Sequence, residues 1–318
     1  MKRNITNLLL LLALLSVTGC SDKMAQEESA PEPIYLYATG NDLSAVTKAT
    51  EIEPFGTTIF ASTQSGVYTT LSAPYEWRKD AGVAKNGSVS FNDNPKPSYP
   101  ETGGWIYLVA VAPVVGTSAV NTSAGTVAYT LGDTPHDLLY AKEIRGSRWD
   151  NQRFSGNSQS ANDKPLEYEH LLTQLQFKAQ KAAAAGLTVR VTKITVNSVK
   201  NVATVALADG TAGFTGSASL NLVPENGGVD VNGTSPVSVG SLLLPPLDSG
   251  TYNITVETSV GTFQDVPITF ADNNVANLFH PGVSHEITLT ISDTSLGITS
   301  VNVATWQTVP QGEINLVE

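Results

Sequence analysis

The sequence predicts an all-β protein built as two tandem β-sandwich domains, and three observations carry that expectation. Apolar and polar residues alternate with period two through much of the chain, as in Val202-Ala203-Thr204-Val205-Ala206-Leu207 and Glu286-Ile287-Thr288-Leu289-Thr290-Ile291, the pattern of a strand with one face buried. Turn-forming groups punctuate these runs at short spacing, among them Asp209-Gly210, Asn226-Gly227-Gly228, Asn232-Gly233 and Pro281-Gly282, which favours a sandwich or barrel over βαβ units. The chain has 318 residues, of which the first 19 read as removable. The remainder exceeds what one ordinary core serves, so two units of roughly 130–150 residues follow.

Residues 1–19 read as a signal peptide. Lys2 and Arg3 form a basic start, Leu8 to Leu15 is an unbroken apolar run, and Val17-Thr18-Gly19 leads into Cys20. The run is about half of the ~20 residues that span a bilayer, so it is an address and not an anchor helix. Residues 20–33, with Glu27-Glu28 and Pro31-Glu32-Pro33, are too polar to build a core and read as a flexible tether.

The first sandwich is expected over 34–160. Ile34-Tyr35-Leu36-Tyr37, Thr58-Ile59-Phe60-Ala61 and Trp105 to Val111 are its strand candidates; the last is apolar on both faces, as a central strand of a packed sheet would be. Asn41 to Thr50 is polar enough for an exposed loop. A polar Ser/Asn/Gly-rich stretch over 146–163 marks the boundary, with the cut near residue 160.

The second sandwich, over 161–318, carries the clearest alternation: Leu187 to Thr192 with Ile194, Val196 and Val199 beyond, Ala218 to Leu222, and Tyr252 to Glu257. Only Lys178 to Ala185, ending at Gly186, has helical composition, and it is short for a stable helix. After a break at Ser292-Asp293-Thr294-Ser295, two more strand-like pieces follow, Ile298 to Trp306 and Ile314 to Val317.

Composition excludes several functions. The formal charge is −11, and removal of Lys2 and Arg3 with the signal takes it to −13. Such a chain is repelled by phosphate backbones, so no nucleic-acid partner is expected. Charged residues make up 15% against 41% hydrophobic, the reverse of a disordered composition. Cys20 is the one cysteine and there are four histidines, so neither a disulfide framework nor a cysteine metal site is available.

Two resemblances add to this reading. The Leu-rich core followed by Val17-Thr18-Gly19-Cys20 resembles the bacterial lipoprotein signal, which implies cleavage before Cys20 and acylation of that residue. Asp137-Leu138-Leu139-Tyr140-Ala141, followed by Pro165-Leu166-Glu167-Tyr168-Glu169-His170 and Leu171 to Lys178, resembles the fimbrillin family of Bacteroidales, the type V pilins and their lipoprotein relatives. Thr47 to Thr50 leading into Phe55 to Ile59, and Trp306 after alternating valines, are similar to that family as well. The resemblance implies two transthyretin-like sandwiches, an outer-membrane lipoprotein at the cell surface, and trimming by a trypsin-like protease. It further implies polymerisation by strand exchange with other fimbrial subunits. The processed bond would join Lys48 to Ala49, although many members carry arginine there.

No catalytic, metal or cofactor site is expected. In Glu167-x-Glu169-His170 the two carboxylates share one face of a strand and the imidazole takes the other. His280 and His285 flank a turn with Glu286 facing away, and no Gly-x-Ser-x-Gly elbow occurs. A second function remains open beside the pilin: Trp77, Trp105, Trp149 and Trp306 are candidate sugar platforms for a glycan-binding surface lipoprotein that stays monomeric. For the C-terminal region two readings also stand. Val301, Val303, Ile314 and Leu316 are either donor-strand side chains for the next subunit or members of the last strands of the second sandwich.

Overall fold

Alternation in the sequence becomes strand along most of the chain. The computed structural model describes residues 31–40, 54–71, 73–93, 95–133, 136–156, 164–183, 186, 188–247, 249–268, 279–292 and 295–306. Cys20, Lys48, Ala49, Ile314 and Leu316 lie outside the described residues. The first strands are β1 (Leu36–Gly40), β2 (Phe55–Ser62), β3 (Trp77–Val83), β4 (Ser88–Phe91) and β5 (Ile106–Ala112). Then come β6 (Val120–Asn121), β7 (Thr126–Thr130), β8 (Leu139–Gly146), β9 (Leu166–His170) and β10 (Thr173–Lys181). β11 (Val189–Val199), β12 (Val202–Ala206), β13 (Ala212–Thr215), β14 (Ala218–Leu222) and β15 (Val229–Val231) follow. The last are β16 (Val237–Leu244), β17 (Asn253–Thr258), β18 (Gly261–Pro267), β19 (Ser284–Ile291) and β20 (Leu296–Ala304). Helical turns among the described residues are short 3₁₀ segments.

Seven strands close into a ring in the order β1-β4-β3-β2-β5-β8-β9. The closing pair is parallel, Ala38 opposite Leu166, while the other ladders of the ring are antiparallel. Inward-facing side chains fill the ring, and many are small, including Ala38, Ala61, Ala81, Ala110 and Ala141 beside Leu36, Ile59 and Leu108. Alternate residues on the outer face, Phe60, Val109 and Val111, pack instead against Val127 of β7 and Ala203 and Val205 of β12. That is why β5 is apolar on both faces: one faces the ring interior and the other lies under the sheet β13-β12-β7-β6.

The remaining strands form two facing sheets, β16-β10-β19-β20 and β14-β11-β17-β18, with β15 also on β11. Leu175, Phe177 and Ala179 of one sheet meet Val191, Ile194, Val196, Ile254 and Val256 of the other. In β11 the buried residues run Val189, Val191, then Ile194, Val196, a change of phase by one residue. A register shift between Val191 and Lys193 against β17 absorbs it, as a bulge does.

The helical expectation at Lys178 to Ala185 is corrected over its described first part. Residues 173–181 are a strand, paired antiparallel with β16 on one side and parallel with β19 on the other. Leu175, Phe177 and Ala179 bury every second residue, and two ladders outweigh the weak propensity of a few alanines. Strand pairs also cross residue 160, between β1 and β9 and between β7 and β12. The described residues from Glu32 onward belong to one compact unit.

Candidate functional site

β1 and β20 are the strands on which strand exchange would depend. The alternation Ile34-Leu36-Ala38 sends those three side chains into the ring, where all are buried, while Tyr35 stays 55% exposed. β1 lies between β4 and β9, with Leu36 opposite Val89 and Ala38 opposite Leu166. The Ala38 amide donates to the Gly87 carbonyl at 2.8 Å and the Ile34 amide to Pro97 at 2.8 Å. Gly87 has φ +81°, and a Cβ there would lie 2.4 Å from the Tyr37 ring; only glycine lets the β3–β4 turn approach β1 so closely. Ahead of β1, the Tyr99 amide donates to the Glu32 carbonyl at 3.0 Å, and the Glu32 carboxylate pairs with Arg153 at 2.7 Å. The end of the stretch read as a tether is therefore held against the ring.

β20 pairs along its whole length with β19, from Leu296 opposite Ile291 to Ala304 opposite Ser284. It is the edge of its sheet. Leu296, Ile298 and Val301 pack against the second core, whereas Val303 is 63% exposed. A register shift between Thr288 and Leu289 against β20 breaks simple alternation on the N-terminal side of Val301, so that Leu296 and Ile298 reach the same core as Val301.

Just past β20 two side chains grip the chain. Gln176 Nε2 donates to the Thr305 carbonyl at 2.7 Å, and the Trp306 ring lies 4.0 Å from the His170 ring. His170 in turn bonds Asp137 through Nδ1. Burial pushes the Asp137 carboxyl above its ordinary range, while the hydrogen bond and charge of His170 oppose that rise. The two stretches that carry the resemblance thus meet through Asp137 and His170, with Trp306 on top. Sequence reasoning named all three residues and did not join them, because 33 residues separate Asp137 from His170.

The other candidates stand apart. Glu169 pairs with Lys142 on the outer face of the ring, and Leu166 and Tyr168 alternate with Glu167 and Glu169 into the core. His285 is buried against Phe279; desolvation, with the charge of His280, pushes it down to about 4. Among the described residues no group of three or more His, Cys, Asp or Glu converges as metal ligands. Trp77 packs edge-on against Phe91. Trp149 is 62% exposed and Trp105 36%.

Comparison with known proteins completes these observations. A profile described as fimbrillin-like matches residues 38–306. A candidate cell adhesion protein from Bacteroides uniformis superimposes with a TM-score of 0.56 at 15% identity, over 86% of this chain and 98% of that one. A second, from Bacteroides ovatus, gives 0.57 at 16% identity, over 88% and 99%. A fimbrial protein from Bacteroides vulgatus gives 0.50 at 14% identity, over 87% and 99%. These structures share the fold of this chain. No curated protein matches the sequence.

Proposed function

This chain belongs to the fimbrillin-like family, and on that premise we propose that it is a structural subunit of an adhesive cell-surface fimbria. It is exported as a lipoprotein on Cys20, trimmed between Lys48 and Ala49 by a trypsin-like protease, and polymerised by strand exchange. No cofactor, metal or catalytic step enters this reading.

The observation that supports it best is the seat of β1. The inward side chains Leu36 and Ala38 of β1, with Ile34 just ahead of it, belong to the ring core, and β4 and β9 flank the strand on either side. A cut after Lys48 severs the covalent link between β1 and the strands that follow. Departure of β1 then leaves an apolar slot between two unpaired strand edges, a state that invites a replacement strand. Another basic pair in the first half of the chain, Arg78-Lys79, lies within β3 between β2 and β4, where a protease cannot seat an extended segment without unfolding it. For the donor, the engagement of β20 with β19 and the second core favours the segment beyond Trp306, with Ile314 and Leu316 as its apolar side chains, over Val301 and Val303.

The test is the N-terminus of assembled material. Mass spectrometry should find Ala49 first, and Lys48→Ala should block the detergent-resistant ladder. Ladders formed by chains that retain residues 34–40, or by the Lys48→Ala variant as readily as by the parent, would overturn the reading.

A further inference from the structure

On the outer face of the ring, β8 and β9 part company early. Their ladder covers only Leu139 to Ala141 against Tyr168 to His170, yet β8 runs on to Gly146 alongside β5. Where they separate, Lys142 to Arg145, Gln152, Lys164, Pro165 and Glu167 line a groove of about 420 Å³, within the range that takes a small ligand.

Its charge is unusual for a chain of formal charge −11. Lys142, Lys178, Arg190 and Lys193 each meet a carboxylate. Among the described residues Arg145 and Lys164 meet none. Both instead approach Trp105, the Arg145 guanidinium at 4.8 Å from the ring centre and the Lys164 ammonium at 5.9 Å. Burial, then the charge of Arg145, lowers the proton affinity of Lys164, so two cations are held together against their repulsion. Lys164 is fixed further by donating to the Gln152 carbonyl at 3.2 Å. The nearest carboxylate along β8, Glu143, is committed elsewhere: it accepts from Ser65 Oγ at 2.6 Å and from the Gly66 amide and Tyr68 hydroxyl at 2.7 Å each.

We propose that this groove binds the carboxylate of an acidic sugar, a uronic or sialic acid residue, between Arg145 and Lys164. The proposal deepens the adhesive part of the fimbrial reading and rests on it. A planar guanidinium already held over an indole offers a fork that suits a carboxylate, and that contact removes part of the ordering cost on binding. Hydroxyl groups require acceptors as well as donors, and the exposed Glu167 and the Gln152 amide line the same groove. That mixture separates a sugar from a bare anion.

Calorimetric titration of the full-length protein with glucuronate and with N-acetylneuraminate tests it. Glucose, inorganic phosphate and a tetraglutamate peptide serve as comparison ligands. Saturable binding of either acidic sugar is expected, with glucose silent. Arg145→Gln and Lys164→Gln should each weaken binding about tenfold or more. Lys200→Gln, which removes an equal charge at an exposed site, should leave binding unchanged, and unaltered melting temperatures exclude misfolding. Equal binding of glucose, phosphate binding as tight as that of the sugars, preferred binding of the acidic peptide, or no binding of any acidic sugar would each overturn the proposal. Ladder formation, measured on the same variants, reports separately on the subunit reading, because neither substitution touches β1 or β20.

Discussion

Gly210 and His285 show how single positions answer to neighbours far along the chain. Gly210, in the β12–β13 turn, has φ +76°, and a Cβ there would lie 2.3 Å from the Tyr140 ring. The Tyr140 hydroxyl donates to the Leu207 carbonyl at 3.0 Å, which fixes the ring against that turn. Gly210→Ala is therefore expected to cost about 2 kcal/mol, from a left-handed backbone and a steric clash together; a urea midpoint equal to that of the parent would contradict this. His285 makes a pH prediction. Folding holds it neutral with a pKa of about 4, whereas in the unfolded chain it takes up a proton below roughly 6.5. Its contribution is complete above 6.5 and is lost as the pH falls toward 4. Relative to His285→Leu, the parent should lose stability as the pH falls across that window, followed by urea unfolding at each pH; a constant difference would exclude the assignment.

At the scale of the element, β20 separates two valines that sequence alternation treats alike. Val301 packs on the second core and Val303 faces solvent. Val301→Ala should cost about 1–2 kcal/mol and Val303→Ala less than about 0.5; equal losses in urea unfolding would mean that β20 is not seated as described. The same contrast of periodicity and environment explains β10. Its end belongs to the Lys178 to Ala185 stretch, whose alanines and lysines suggest a helix when read alone, but its place between β16 and β19 supplies two ladders that no short helix could match. β5 was more legible, because apolar residues on both faces have few physical explanations besides burial on both sides.

For the whole molecule, the closing strand of the ring is the point of leverage. A chain beginning at Ala49 lacks Ile34, Leu36 and Ala38 from the core, about 5 kcal/mol of apolar burial at ordinary transfer values. It should bind an apolar dye that the parent excludes, and a peptide spanning residues 31–40 added in trans should restore protection. A chain beginning at Ala49 that stays as stable as the parent and dye-free would show that the ring can close without β1. Comparable burial by a donor strand would hold subunits together without covalent links, since it rivals the net stability of a domain.

Sequence alone determined the all-β class, most of the strand-forming stretches and the family, because period-two burial and short hallmarks such as Asp137 to Ala141 are local properties of the chain. It also marked Ile34 to Tyr37 as a strand. Only the tertiary structure decided that this strand closes a ring by pairing Ala38 with Leu166, that Asp137, His170 and Trp306 gather at one place, and that Arg145 and Lys164 share one indole. Such juxtapositions arise from pairing between strands far apart in the chain, and periodicity shows which face of a strand is buried without showing which strand it will meet.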